Sequence, residues 1–143
     1  MLFRSPIWLR TLNTKKGRDG SRVPLPWTTE GETYGFGSGS AWLPQPVAWS
    51  RKAVDRQAAV PGSTLELYRA ALQARRALQT EETLDWVETG REDVVRFVRP
   101  GGWHCVTNFG TEPYALPAGE VRVASAPVVA ALLPGESSAW LTD

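Results

Sequence analysis

Residues 1–62 carry no hydrophobic period that persists, and this absence constrains the chain more than any motif in it. Pro6, Pro24, Pro26, Pro44, Pro46 and Pro61 interrupt the stretch, with Gly31, Gly35, Gly37 and Gly39 between them. Each proline fixes φ and removes a backbone donor, so neither a long helix nor a central strand runs through such spacing. An unstructured run of this length inside a compact domain is either disordered or a long functional loop packed on something. Disordered segments are poor in aromatics, whereas Trp8, Trp27, Trp42 and Trp49 are spread through this one. The segment reads as a docked loop.

Regular structure starts at residue 63. Ser63 followed three residues later by Glu66 is a capping box, in which each side chain satisfies the other residue's free backbone N–H. Leu65, Leu67, Tyr68, Ala71, Leu72, Ala74 and Leu78 then fall on one wide apolar stripe, opposite Glu66, Arg69, Gln73 and Arg76. This spacing predicts an amphipathic helix over 63–78. Arg75 falls inside the stripe, where a charge must be paired or snorkel to an edge; the reading is a structural ion pair, with a ligand contact as the alternative. From 83 onward the pattern changes to short strands between turn signals. They are placed at Leu84–Glu88, Asp93–Arg99, Trp103–Asn108, Glu112–Leu116, Val121–Ser125 and Ala139–Thr142. Short sequential strands favour an antiparallel sandwich. Val94, Arg96 and Val98 alternate with Val95, Phe97 and Arg99, so one face is expected to be the more buried.

Composition excludes several classes. A (β/α)8 barrel needs roughly 250 residues, and the chain has 143. A net charge of +1 argues against a dedicated nucleic-acid or membrane surface. Its distribution is uneven, with six bases and two acids in residues 1–30. One Cys rules out an internal disulfide, and one Cys with one His makes a structural zinc site unexpected. No cofactor or metal is called for. Apolar stretches fall far below the ~20 residues of a membrane span, and the start lacks a signal-peptide core. A soluble protein of the reducing cytoplasm is the expectation.

Candidate chemistry is sparse. His104 beside Cys105 has nucleophile-and-base residue types, but adjacent strand positions face opposite ways, so both read as packing residues. Glu81-Glu82 and Glu92-Asp93 are carboxylate pairs, the residue type that glycoside hydrolysis requires. As sequence neighbours at element ends they read as solvated charges. Gly35-Phe36-Gly37-Ser38-Gly39-Ser40 lacks the following Lys and Ser/Thr of a phosphate loop and reads as a flexible turn. Arg18-Asp19-Gly20-Ser21-Arg22 leads into Trp27. It reads as a turn held by Asp19 and Gly20, or as guanidinium groups beside an indole that grip a sugar.

The runs GRDGSRVPLPW, GFG, WLPQP, PGSTLELYRAALQARRAL, VTNFG, LPAGEVRVAS and LLPGESSAWL, in this order, resemble the C-terminal part of α-glucosidases of glycoside hydrolase family 13, the α-amylase superfamily. The resemblance extends from about Ser5 to Leu141, and RDGSRVPLPW is its most specific part. It implies that residues 1–80 are a barrel remnant, the loop after strand eight and the last barrel helix, and that 81–143 are the all-β domain that follows. The expected fold class is thus an α+β fragment: an irregular loop region and one barrel-type helix, then an antiparallel β-sandwich. Arg18 matches the arginine that helps hold the non-reducing-end glucose in such enzymes. The family's catalytic Asp, Glu and Asp come from barrel strands four, five and seven, upstream of anything this sequence contains, so no catalytic residue is assigned. The expectation is an α-glucosidase fragment without activity of its own, binding an α-glucoside only within a complete barrel and prone to self-association through exposed apolar surface. The alternatives are a carbohydrate-binding module that uses Trp faces, or a purely structural β-domain.

Overall fold

A computed structural model describes residues 10–12, 14, 15, 17, 19–41 and 43–143, the side chains of Asp19 and Gly20 excepted. The chain divides into two compact units between Val60 and Pro61.

The first unit is as irregular as its prolines demand. Among the described residues it has 3-10 turns at Asp19–Arg22 and Val47–Lys52 and one turn of helix, α1, at Val54–Gln57. Distant parts of this loop are nevertheless tied together. Val54 N and Asp55 N donate to the carbonyls of Pro26 and Trp27 at 3.2 and 3.0 Å, and Trp27 N donates to Tyr34 O at 2.7 Å. Thr29 N donates to Asp55 Oδ2 at 2.9 Å. Buried Ala53 and Thr33 sit among these ties, with Thr33 Oγ1 donating to Gly37 O at 2.7 Å. Backbone groups that prolines keep out of ladders thus find partners across the loop.

The second unit opens with helix α2, Thr64–Ala77, capped by Ser63, whose Oγ accepts from Glu66 N at 3.2 Å. The expected helix of 63–78 is this helix plus its two caps. Seven strands follow among the described residues: β1 Asp85–Val87, β2 Val94–Arg99, β3 Trp103–Asn108, β4 Tyr114–Ala115, β5 Glu120–Ala124, β6 Leu132–Leu133 and β7 Ser137–Thr142. Five form an antiparallel sheet in the order β1-β2-β3-β7-β5, and β4 pairs with β6. The β2–β3 hairpin pairs Arg99 with Trp103, and its turn through Pro100 places Gly101 and Gly102 at φ 88° and 73°. Side chains other than glycine rarely adopt that region.

Val94, Val106, Ala139 and Leu141 line one face of the large sheet and pack with Leu116 and Leu133 into the core. Leu133 and Leu141 are fully buried, each contributing about 1.5–3 kcal/mol relative to exposure. The small sheet is drawn close by Gly135, where an added Cβ would meet the carbonyl oxygens of Gly110 and Thr111. The fold is therefore α+β, an irregular region and one long helix followed by an antiparallel β-sandwich, as the patterns imply. The expected boundary at 80/81 follows the resemblance; the break at 60/61 follows contacts, which join α2 to the sheet through β5.

β6 has no counterpart among the expected strands. It is two residues long and follows a tight turn in which Ala130 and Ala131 both take positive φ, 50° and 58°. Leu132 N donates to Val129 O across that turn at 2.9 Å. A two-residue strand is too short to display an alternation.

Candidate functional site

The residues with chemical potential lie in different places. Arg18, the substrate-binding residue implied by resemblance, lies outside the described residues. The following segment forms the 3-10 turn Asp19–Arg22. The glycine-serine run of 35–40 is an exposed series of bends with no helix opening from it, so it offers no phosphate cradle. Glu81, Glu82 and Glu92 are exposed, as expected of solvated charges. Asp93 is not merely solvated: its Oδ1 and Oδ2 accept from Arg91 Nε and Nη2 at 2.9 and 2.6 Å. Arg91 Nη1 reaches on to the carbonyls of Glu112 and Pro113 at 3.3 and 3.1 Å, stapling the turn before β2 to the chain before β4. The arginine fork holds the Asp93 carboxyl below the usual carboxylate range.

His104 and Cys105 point to opposite faces of β3 and share no proton. The imidazole is buried on the core face, with Nδ1 3.0 Å from Arg96 Nη2 and Nε2 2.8 Å from Asp143 Oδ1. Both ring nitrogens are engaged in structural contacts. Cys105 is buried on the other face, and loss of solvent pushes its thiol above the usual range, against weaker opposing hydrogen bonds with Thr107 and Trp140. Neither residue is arranged as a nucleophile or as its base. Among the described residues no three His, Cys, Asp or Glu side chains group as a metal site.

Arg75 departs from its expected ion pair. It is exposed, and among the described residues no carboxylate pairs with it. It lines an open cleft of about 510 Å³ with Leu72, Arg76, Gln79, Glu82, Leu84 and Arg99. Arg99 is already committed there: Nη2 donates to Glu81 O at 2.7 Å, Nε donates to Thr83 O at 3.3 Å, and the guanidinium lies 5.6 Å from the Trp103 ring centroid. The 81–83 linker is thereby pinned beside β2. A half-buried row, Leu67, Ala71, Ala74 and Leu78, runs along one side of α2, the helix that packs on β5. Tyr68 and Leu72 remain 65% and 52% exposed. The single apolar stripe of the sequence is two rows, only one of them covered. Sequence reasoning missed the cleft, although the misplaced Arg75 marked its position.

The face of the sheet away from the core carries an aromatic chain. Trp86 meets Phe97 edge-on at 5.7 Å, Phe97 meets Trp103 at 6.1 Å, and Trp103 meets Trp140 at 5.6 Å between ring centroids. Such tilted and edge-on pairs suit the ring quadrupoles. Trp103 is buried while Trp86, on the edge strand β1, is 70% exposed. The edge indole is held in place with much of its surface free.

No family profile matches the sequence, and no curated protein matches it. Among solved structures, the chain is similar to a mutant of Bacillus licheniformis trehalose-6-phosphate hydrolase, with a TM-score of 0.68 and 17% identity over 94% of this chain. The chain has the fold of part of that hydrolase. It spans about 30% of the length of the enzyme. At 17% identity the likeness is one of fold. No helix among the described residues is long and apolar enough to cross a membrane.

Proposed function

We propose that this chain is the C-terminal part of an α-glucosidase-like glycoside hydrolase of family 13, cytoplasmic, acting in carbohydrate metabolism only together with a complete barrel. The observation that carries this reading is the fold match over 94% of the chain to a stretch amounting to 30% of a sugar-phosphate hydrolase, on a sequence whose motifs follow the α-glucosidase order. Retaining hydrolysis needs a carboxylate nucleophile and an acid/base carboxyl about 5–5.5 Å apart. Asp93 is locked to Arg91, and His104 and Cys105 are built into the sheet, so none of these is free for that role. Arg18 would touch the substrate glucose only in the assembled pocket. The purified chain is therefore expected to leave an aryl α-glucoside intact above background. Saturable turnover that disappears in Arg18→Ala would overturn the reading. The exposed side chains of Tyr68 and Leu72 support weak self-association of the isolated chain. Equilibrium sedimentation and binding of a hydrophobic dye test this, and a monodisperse monomer that ignores the dye argues against it.

A second reading, carbohydrate binding by the β-sandwich, is favoured by one feature, the exposed Trp86 braced by Phe97. Titration with maltose or starch decides it. Fluorescence quenching lost in Trp86→Ala supports a sugar platform, and unchanged emission removes it.

A further inference from the structure

We propose that the cleft between the last turn of α2 and the end of β2 binds a small organic phosphate, with its phosphate group held by Arg75, Arg76 and Arg99 and its organic part against Leu72 and Leu84. The site lies wholly within the second unit and goes beyond the glucosidase reading, since it needs no barrel. Three guanidinium groups and one carboxylate, that of Glu82, line the cleft. Among the described residues Arg75 and Arg76 make no hydrogen bond or ion pair, and no ion pair joins Glu82 to any of the three arginines. The surplus charge is therefore not neutralised from within. Arginines in the last turn of a helix complement its dipole, which accounts for part of their presence. The helix end carries only about half an elementary charge, against two full cations, and it does nothing for Arg99, which comes from β2. An anion of more than one charge balances what the helix end leaves.

Arg99 supplies the fixed point. Its Nη2 and Nε donate to the carbonyls of Glu81 and Thr83 at 2.7 and 3.3 Å, and its guanidinium stands over the Trp103 ring. Nη1 has no partner among the described residues. A cationic donor is thus held in place before any ligand arrives, so little ordering entropy is lost there on binding. A phosphate monoester suits the set better than a carboxylate does. It carries about −1.5 to −2 charge at neutral pH and three acceptor oxygens, which donors from two different elements can share, whereas a carboxylate presents one planar edge. Size and lining then call for an organic part. The cleft of about 510 Å³ is within the range of small-molecule sites, about 300–1,000 Å³, and exceeds what one inorganic ion fills. Leu72 and Leu84, 52% and 43% exposed, give the rest of the ligand an apolar wall.

Phenyl phosphate is the probe, with inorganic phosphate and phenol as its two halves, titrated into the ¹⁵N-labelled full chain and followed by amide chemical shifts and by calorimetry. Phenyl phosphate is expected to shift the last turn of α2, the 81–84 segment and the end of β2. Inorganic phosphate should bind on the order of tenfold more weakly, phenol weaker still, and salt should weaken the ester's binding. Arg75→Gln/Arg76→Gln should lower the ester's affinity on the order of tenfold or more. Glu82→Gln, which removes the opposing charge, should raise it. Both variants change exposed side chains that have no partner among the described residues, so the fold is kept. Arg69→Gln, on the same helix but paired with Glu66 and outside the cleft, should change nothing. The proposal is overturned by an ester that shifts no residue around the cleft, by an affinity indifferent to Arg75→Gln/Arg76→Gln or lowered by Glu82→Gln, or by either half binding as tightly as the whole. The readout involves no glucoside, so its outcome is separate from the turnover test of the functional reading.

Discussion

Arg96 Nη2 lies 3.0 Å from Nδ1 of His104, and this contact fixes which ring nitrogen carries hydrogen. A guanidinium only donates, so Nδ1 must present its lone pair and Nε2 must bear the proton it directs at Asp143 Oδ1, 2.8 Å away. The two contacts differ in worth. Arg96 acts on a buried atom, whereas the Asp143 side chain is 71% exposed and its pairing is largely screened. Arg96→Met is expected to cost about 1–3 kcal/mol by leaving a buried acceptor unmet. Asp143→Ala should cost less than about 1 kcal/mol. Urea unfolding gives both values, and a long-range ¹⁵N–¹H spectrum of the single histidine reports the tautomer. An Nδ1–H tautomer would contradict the assignment.

Asn108 joins the two sheets and should tolerate no replacement. Its side chain is fully buried, with Nδ2 donating to the carbonyls of Glu112, Pro134 and Leu133 at 2.9, 3.1 and 3.4 Å and Oδ1 accepting from Gly110 N at 3.1 Å. Asn108→Leu matches the volume but strands these groups, at about 1–3 kcal/mol. Asn108→Asp should be worse, because a carboxylate has no hydrogen to give three carbonyl oxygens. Thermal unfolding by circular dichroism should rank wild type above Leu above Asp; an Asp variant as stable as wild type would exclude this role.

How far the sequence led depended on the range of the interaction. The cap at Ser63, the extent of α2 and the bounds of β3 were legible because local periodicity and turn residues determine them. The face alternation of β2 was legible as well, since Val94 is buried and Val95 exposed. β6 was not, because two residues carry no period. The fate of Arg75 was not, because whether a stripe is covered depends on residues far from it in the sequence. Asn108 looked like an ordinary strand end, and only the chain folding back at 110–112 and 133–134 makes it a junction. For the candidate site, Arg18 was named through resemblance alone, and it lies outside the described residues. The cleft around Arg75 is assembled from residues 72 to 99, too far apart for any spacing rule.

Cys105 should be inert in the native state. The thiolate is the reactive species, and burial raises the thiol above its usual range. A disulfide reagent is expected to label it in urea and to leave it untouched in buffer over the same interval. The sign of the linkage follows: the unfolded chain loses this proton first, so stability present at neutral pH declines as pH rises past the ordinary thiol range. Cys105→Ala should lessen that alkaline decline. Rapid native labelling would place the thiol at the surface.

The Arg91–Asp93 fork predicts a dependence at the other end of the pH scale. Two hydrogen bonds from Arg91 hold the Asp93 carboxyl below its usual range, opposed by partial loss of solvent and aided by the arginine's charge. A carboxyl lowered in the folded state contributes its stabilisation above the unfolded value near ~3.9 and loses it as pH falls through the lower folded value. Asp93→Asn keeps the shape and removes the titration. The variant should therefore be less stable than wild type at neutral pH, and the gap should close in acid, where wild-type Asp93 also becomes neutral. Urea midpoints from pH 7 down to the acid limit of the fold measure that gap. A gap that stays constant through the acid range would mean that Asp93 serves by shape and not by charge.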